Sequence, residues 1–351
     1  MTRRTALSSV IAACASARAE RKTLEIRAMY SSPKAFWDTG ARLSDFGVNA
    51  IFVHGGSITA EMMSRAAAEG ARVFAEFPTL NGKGYVEQHP EAWPINVQGQ
   101  KAPAATWFLG ACPTEPGFRA WRMKQLETLL DRFDLAGVWM DYFHFHAQFE
   151  DPDAILPETC FSPTCLAAFE TSTGIRIPAG STSARASWIL SRHDREWRDW
   201  RTRQLLDWAR SIREVVRKKR PRALLGAYHC PWTDDEYNGA RRRILALDLD
   251  ALAGEVDVFS PMVYHGRMGR RPSWVREYVQ WLSAKLGKRV KIWPIVQAHN
   301  EPREIPAEEF EQVMRFGASG SASGLMMFTA QSVASEPGKM EVMRRLYRDS
   351  R

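Results

Sequence analysis

The chain has 351 residues, 45% of them hydrophobic and 25% charged, with 23 Gly and 19 Pro. These values are ordinary for a folded protein, so disordered, collagen-like and disulfide-scaffold classes are excluded, and the length suits two domains or one large α/β barrel. The net charge of +8 would suit an anionic partner. Much of the excess, however, lies between Arg192 and Arg222 in a helical stretch interleaved with Trp and Leu, which reads as a solvated outer face and not as a nucleic-acid surface. No window approaches the roughly 18 consecutive apolar residues of a membrane-spanning helix, so no transmembrane segment is expected.

The N-terminus, MTRRTALSSVIAACASARAE, combines the pair Arg3 and Arg4 with a weakly apolar run from Ala6 to Ala17 and small-residue sites ending at Ala17 or Ala19. It resembles a twin-arginine export signal. Residues 1–19 are therefore assigned to a signal peptide and residues 20–351 to one domain, exported to the periplasm or beyond the cell. Ile11-Ala12-Ala13-Cys14 also reads as a lipoprotein box, which makes a lipid on Cys14 the alternative. Cys112, Cys160, Cys165 and Cys230 remain in the mature chain. In an oxidising compartment the TCFSPTC segment favours a local bridge between Cys160 and Cys165. A zinc site there would need two further ligands, and nothing nearby in sequence supplies them.

After the signal, short β-rich apolar runs alternate with longer amphipathic stretches, the rhythm of a parallel sheet covered by helices. The first run, LEIRAMY from Leu24, ends on Tyr30. The second, NAIFVHG from Asn49, carries His54, and Ser57 is the expected cap of the helix that follows and stops at Gly70. RVFAEFP from Arg72 brings Glu76, and a long connection from Thr79 to Pro116 contains Trp107. AGVWMDYFH from Ala136 brings Asp141, with His144 and His146 just beyond, before a second long connection from His146 to about Ser187, whose ARAS segment near Ser181 reads as loop. ALLGAYHCP from Ala223 ends on Tyr228 and His229, and Trp232, Asp234, Asp235 and Glu236 follow. VDVFSPMVYHG from Val256 carries Tyr264 and His265. VKIWPIVQAH from Val290 carries Gln297 and His299. GLMMFTAQS from Gly324 ends near Gln331, and Pro306 opens the helix before it.

Eight runs are the number that closes a single (β/α)8 TIM barrel, here with long loops after strands 3 and 4. Every strand of such a barrel points its C-terminal end at one rim, so the polar residues named above should gather there around a cleft walled by the two long connections.

Asp141 carries the sharpest signal. One carboxylate ends an apolar strand just before an aromatic turn, where burial can tune its pKa. Glu76 is a second candidate, and Asp235 and Glu236 are a third pair unless they only complement a helix N-terminus. His144-x-His146 admits a metal reading, but the hydrolases that use such a pair carry it on the first strand with further ligands later. Cys230 and His229 face opposite ways as strand neighbours, which disfavours a Cys-His nucleophile. No G-x-S-x-G, Walker loop or strand-linked G-x-G-x-x-G occurs, and neither cofactor nor metal is expected.

LAGVWMDYFHFH resembles the fourth-strand signature of bacterial glycoside-hydrolase-like TIM barrels, a phrase close to D-G-(V/I)-x-x-D-Y-x-R-(F/Y)-P with its Asp at the rim. HPEAWPINVQGQ and CPTEPGFRAWRMKQLETLLDRFDLAG resemble that family's third-loop and preceding-helix segments, and VDVFSPMVYHG is similar to the sixth strand of chitinase-like barrels. His144 and His146 stand where the signature has Arg and Pro. The resemblance implies hydrolysis of a poly- or oligosaccharide by a carboxylate pair, with a non-catalytic glycan-binding barrel as the alternative. It gives Asp141 the role of nucleophile or general acid and makes Glu76, Asp235 or Glu236 its partner. The partner is expected roughly 5 Å away for retention or about 6.5–9.5 Å for inversion. Tyr30, His54, His144, His146, Tyr228, His229, Tyr264, His265, Gln297, His299 and Gln331 are the expected hydroxyl binders. Trp107 and Trp232 are the expected sugar platforms, whereas Trp197 and Trp200 are expected in the core.

Overall fold

The computed structural model describes residues 22–105 and 107–351; the export signal and Cys14 lie outside the described residues. Each expected run supplies a strand: β1 Ile26–Tyr30, β2 Ala50–His54, β3 Arg72–Pro78, β4 Gly137–Asp141, β5 Leu224–His229 and β6 Val258–Val263. β7 comes in two pieces, Lys291–Ile292 and Ile295–Gln297, and β8 is Gly324–Phe328. The break in β7 falls at Trp293 and Pro294, because proline has no N–H to give to a ladder. Trp293 still donates its N–H to Phe259 and Pro294 accepts from Met326, so the chain stays in the sheet. All pairings are parallel. β1 joins β2 on one side and β8 on the other, and β5 joins β6, which closes one (β/α)8 barrel.

Strand alternation then decides what fills the barrel. On β4, Gly137, Trp139 and Asp141 share one face. Trp139 meets Phe52 and Phe74 edge-on and stacks on Trp293 at 5.3 Å, so an aromatic layer plugs the interior. Its indole N–H donates to Ser260 Oγ at 2.9 Å, which removes the cost of burying that polar group. Glycine is required opposite it: a Cβ on Gly226 would meet Trp139 Cε2 at 2.1 Å. Two residues further along each strand, on the same face, come Glu76, Asp141, Tyr228 and Met262. The period of two thus lifts the chemistry one layer above the plug.

The two long connections form as expected after β3 and β4, and the first ends where Pro116 opens the helix Pro116–Arg132. The second contains the helices Pro163–Thr173 and Thr182–Arg192. The ARAS segment expected as loop is therefore helical, with the Ser181 hydroxyl accepting from Ala184 N–H at 3.3 Å. Ser57 lies in a short turn; the cap of the helix Ala60–Ala68 is Thr59, which accepts from Met62 N–H at 3.1 Å. The basic stretch forms Asp194–Lys219, and Trp197 and Trp200 are core as expected. Its outer-face reading holds only in part. Arg201 is fully buried, lies over the Phe145 ring at 4.3 Å and donates to the carbonyls of Arg243 and Ile244. Cys112, Cys160, Cys165 and Cys230 are buried free thiols, so the local Cys160–Cys165 bridge is not formed. Among the described residues no helix is long and apolar enough to cross a membrane.

Candidate active site

At the C-terminal rim a cavity of about 330 Å³ is lined by Tyr30, Trp107, Asp141, Tyr142, Glu150, Tyr228, Met262, Tyr264, Arg267 and Phe328. Most of its wall is aromatic. Tyr30 tilts against Phe328 at 4.9 Å and meets Tyr228 edge-on at 6.2 Å, while Tyr264 packs on Phe328 at 5.0 Å. Flat apolar faces with hydroxyls at their edges suit a ligand that is apolar on its faces and polar around its perimeter.

Asp141 ends β4 opposite Pro78 of β3. The next residue, Tyr142, turns the chain at a φ of 47°, an uncommon conformation for a side chain of its size, and its N–H donates to Asp141 Oδ1 at 2.8 Å. Burial holds the Asp141 carboxyl well above the usual range, and the charge of nearby Glu76 adds to this. Glu76 itself is raised by burial, but Tyr30 donates its hydroxyl to it and Asp141 lies within hydrogen-bonding reach, and both contacts favour its charged form. Of the two adjacent carboxyls, Asp141 is pushed up further and so holds its proton more tightly than Glu76.

Glu150, nine residues beyond the strand end on the second long connection, faces the same cavity. Its carboxylate pairs with Arg267 at 3.1 Å, and burial raises its pKa against the opposing pull of that guanidinium. Arg267 in turn lies over the Trp107 ring at 4.6 Å, which fixes one wall of the site from the loop after β6.

The structure brings Tyr30, Trp107, Asp141, Tyr228 and Tyr264 to this cavity, with Glu76 touching it through Tyr30 and Asp141. The other expected residues are elsewhere. His54 is exposed on a neighbouring groove beside Trp121 and Arg122. His144 is buried against Phe108, with Nδ1 on the Phe145 carbonyl, and burial pulls its pKa down to about 4. His146 spans Gly110 N–H and the Pro103 carbonyl, bracing the first long connection. The pair is thus used to hold loops in place.

His229 is out of phase with Tyr228 and points outward to Phe259 and Tyr278, where burial lowers it to about 3. Trp232 is buried beneath Tyr237. Asp235 is exposed at the start of the helix Glu236–Arg243, and Glu236 is held by Arg270 at 2.6 Å and by Thr233 N–H. His265 is paired with Glu309. Gln297 accepts from Arg267 N–H and donates to the carbonyls of His299 and Glu301, so it supports the loop that delivers Arg267. His299 packs edge-on to Tyr264 behind the wall, and Gln331 is exposed in a short helix.

Glu150, Arg267, Tyr142, Met262 and Phe328 were not visible as site residues in the sequence. The strand residues among them follow from the period of two. Glu150 and Arg267 sit in loops, where no periodicity marks them.

No family model matches the chain, and no curated protein matches it in sequence. Solved structures do match its fold. The glycoside hydrolase domain of PgaB (BpsB) from Bordetella bronchiseptica is similar with a TM-score of 0.66 at 14% identity, over 92% of this chain and 98% of that one. The β-galactosidase of the Antarctic haloarchaeon Halorubrum lacusprofundi gives 0.68 at 12% identity, over 92% of this chain and 58% of its own. That of the psychrophilic Marinomonas ef1 gives 0.65 at 12%, with the same 92% and 58% coverage. This chain therefore spans a little over half the length of those β-galactosidases. At such identities the likeness concerns the fold.

Proposed function

We propose that this chain is an exported glycoside hydrolase in which Asp141 is the proton donor and Glu150 the opposing carboxylate. The observation that supports this most directly is one cavity, at the rim where barrels of this kind keep their chemistry, lined by both an Asp whose pKa burial pushes well up and a second carboxyl group, Glu150. Cleavage of a glycosidic bond needs a proton delivered to the leaving oxygen and a carboxylate to stabilise or trap the oxocarbenium-like carbon. Asp141 delivers its proton when its carboxyl turns from Glu76 into the cavity, and the negative charge then left on Asp141 is opposed by the neighbouring Glu76 carboxylate. The dyad therefore takes its proton back quickly. Glu150, steadied by Arg267, serves the carbon side. Trp107 and the four tyrosines supply the platform and hydroxyl contacts.

Screening against a panel of polysaccharides tests the reading. Hydrolysis by the parent, with a loss of about 10³-fold or more in both Asp141→Asn and Glu150→Gln while glycan binding persists, is the expected result. Binding without turnover in the parent would replace it with a glycan-binding barrel.

A further inference from the structure

Three of the buried cysteines have no part in the cavity. Cys112 lies near the end of the connection after β3, and Cys160 and Cys165 lie in the connection after β4, with Cys165 in the first turn of the helix Pro163–Thr173. In sequence only the latter two are close. In the fold all three sulfurs lie within 4.8 Å of one another, and Cys112 Sγ is 3.4 Å from Cys165 Sγ. Two hydroxyls join them: Thr114 Oγ1 is 3.1 Å from Cys165 Sγ, and Ser162 Oγ is 3.2 Å from Cys112 Sγ.

Packing alone gives no reason for this convergence, since Ala or Val would fill the same space without directing three soft donors and two oxygens at one point. A tetrahedral ion with Zn–S bonds of about 2.3 Å holds its sulfurs about 3.8 Å apart, a spacing that this triangle nearly has already. The missing ligands that the sequence did not supply locally come from the other long connection. The site is closed to solvent, with each of the three cysteines fully buried, as is usual where a metal is structural.

We propose that Cys112, Cys160 and Cys165 form a structural thiolate site for one zinc(II) ion, with the hydroxyl of Thr114 or Ser162 as fourth ligand. Binding breaks three S–H bonds, forms three Zn–S bonds and releases three protons to solvent. The resulting cluster carries one net negative charge, and buried Arg201 lies near enough to Cys160 and Cys165 to be influenced by it. The metal ties together the connection that carries Trp107 and the connection that carries Glu150, and so stiffens both walls of the cavity.

The test uses the full chain, made without a histidine tag, reduced and freed of metal under anaerobic conditions. Cobalt(II) should give thiolate charge-transfer and tetrahedral d–d absorption that saturates at one ion per chain and is displaced by one zinc. Cys230→Ser should keep these bands, and Cys112→Ser and Cys165→Ser should lose them. On the parent chain, which avoids any folding defect of the variants, zinc should slow alkylation of Cys112, Cys160 and Cys165 together and leave the rate at Cys230 unchanged. Absence of the cobalt bands from the reduced parent overturns the proposal, as does unchanged alkylation at the three sites. So does closure of a Cys112–Cys165 disulfide when zinc and dioxygen are both present.

Discussion

Burial and the nearby Glu76 push the Asp141 carboxyl well up, whereas the Tyr30 hydroxyl favours the charged form of Glu76. This has a consequence for stability whose sign can be worked out. A carboxyl whose folded pKa is raised contributes its full stability below its unfolded value of about 4, and that contribution is lost as pH rises through the folded value. Asp141→Asn removes the penalty while its amide can still donate to Glu76. The variant should therefore unfold at a higher temperature than the parent at pH 7, with the difference vanishing near pH 4 in paired melting curves. Tyr30→Phe acts on the same dyad through Glu76. With the donor gone, the last proton of the pair is held more tightly, so the basic limb of the pH–rate profile should move to higher pH and kcat should fall about 10-fold. A residue that only packed would leave the profile in place. At this scale the sequence revealed Asp141, Glu76 and the strand tyrosines, since a period of two and an apolar strand suffice to place them. It hid Glu150, because a loop carboxylate becomes meaningful only when Arg267 arrives from another loop.

The elements were legible where burial imposes a period. All eight apolar runs became strands, and the break in β7 sits at the proline already visible in VKIWPIVQAH. The expectations that failed depended on local chemistry without a period. Thr59 displaced Ser57 as a cap because Gly55–Ser57 forms a turn of its own, and two acids of the cluster after β5 are held in ion pairs, Asp234 by Arg241 and Lys285 and Glu236 by Arg270. The contact between β4 and β5 yields a prediction that needs no substrate. The Trp139 indole lies against Gly226, and a methyl group there has no space without moving the rigid plug or the strand. Gly226→Ala should cost about 1–3 kcal/mol, seen as a lower denaturant midpoint with an unchanged m-value.

For the molecule as a whole, acid is the predicted weakness. His144 and His229 are buried and neutral, lowered to about 4 and about 3. A depressed folded pKa means stability that is present above the unfolded value of about 6.5 and lost as pH falls through the folded one, on the order of 3 kcal/mol for each group. The urea midpoint should therefore drop between pH 7 and pH 4.5 in the parent. If residues 1–19 are an export signal, intact mass after native expression should show a mature protein beginning near Arg18 or Glu20, and a full-length product would refute the signal.

The stacked pair Trp139 and Trp293 comes from β4 and β7, which stand three strands apart one way round the closed sheet and five the other. At 5.3 Å and 13° from parallel, two indoles no longer absorb independently. Their excited states mix, and the mixing produces paired circular-dichroism bands of opposite sign that neither ring gives alone. Because only closure brings those strands face to face across the interior, the couplet reports barrel assembly separately from helix content. Trp293→Phe should remove this pair's share of the signal and leave that of Trp197 and Trp200, stacked at 4.9 Å on one helix, so the part of the couplet that Trp293→Phe removes is the part that an intermediate with its sheet still open should lack.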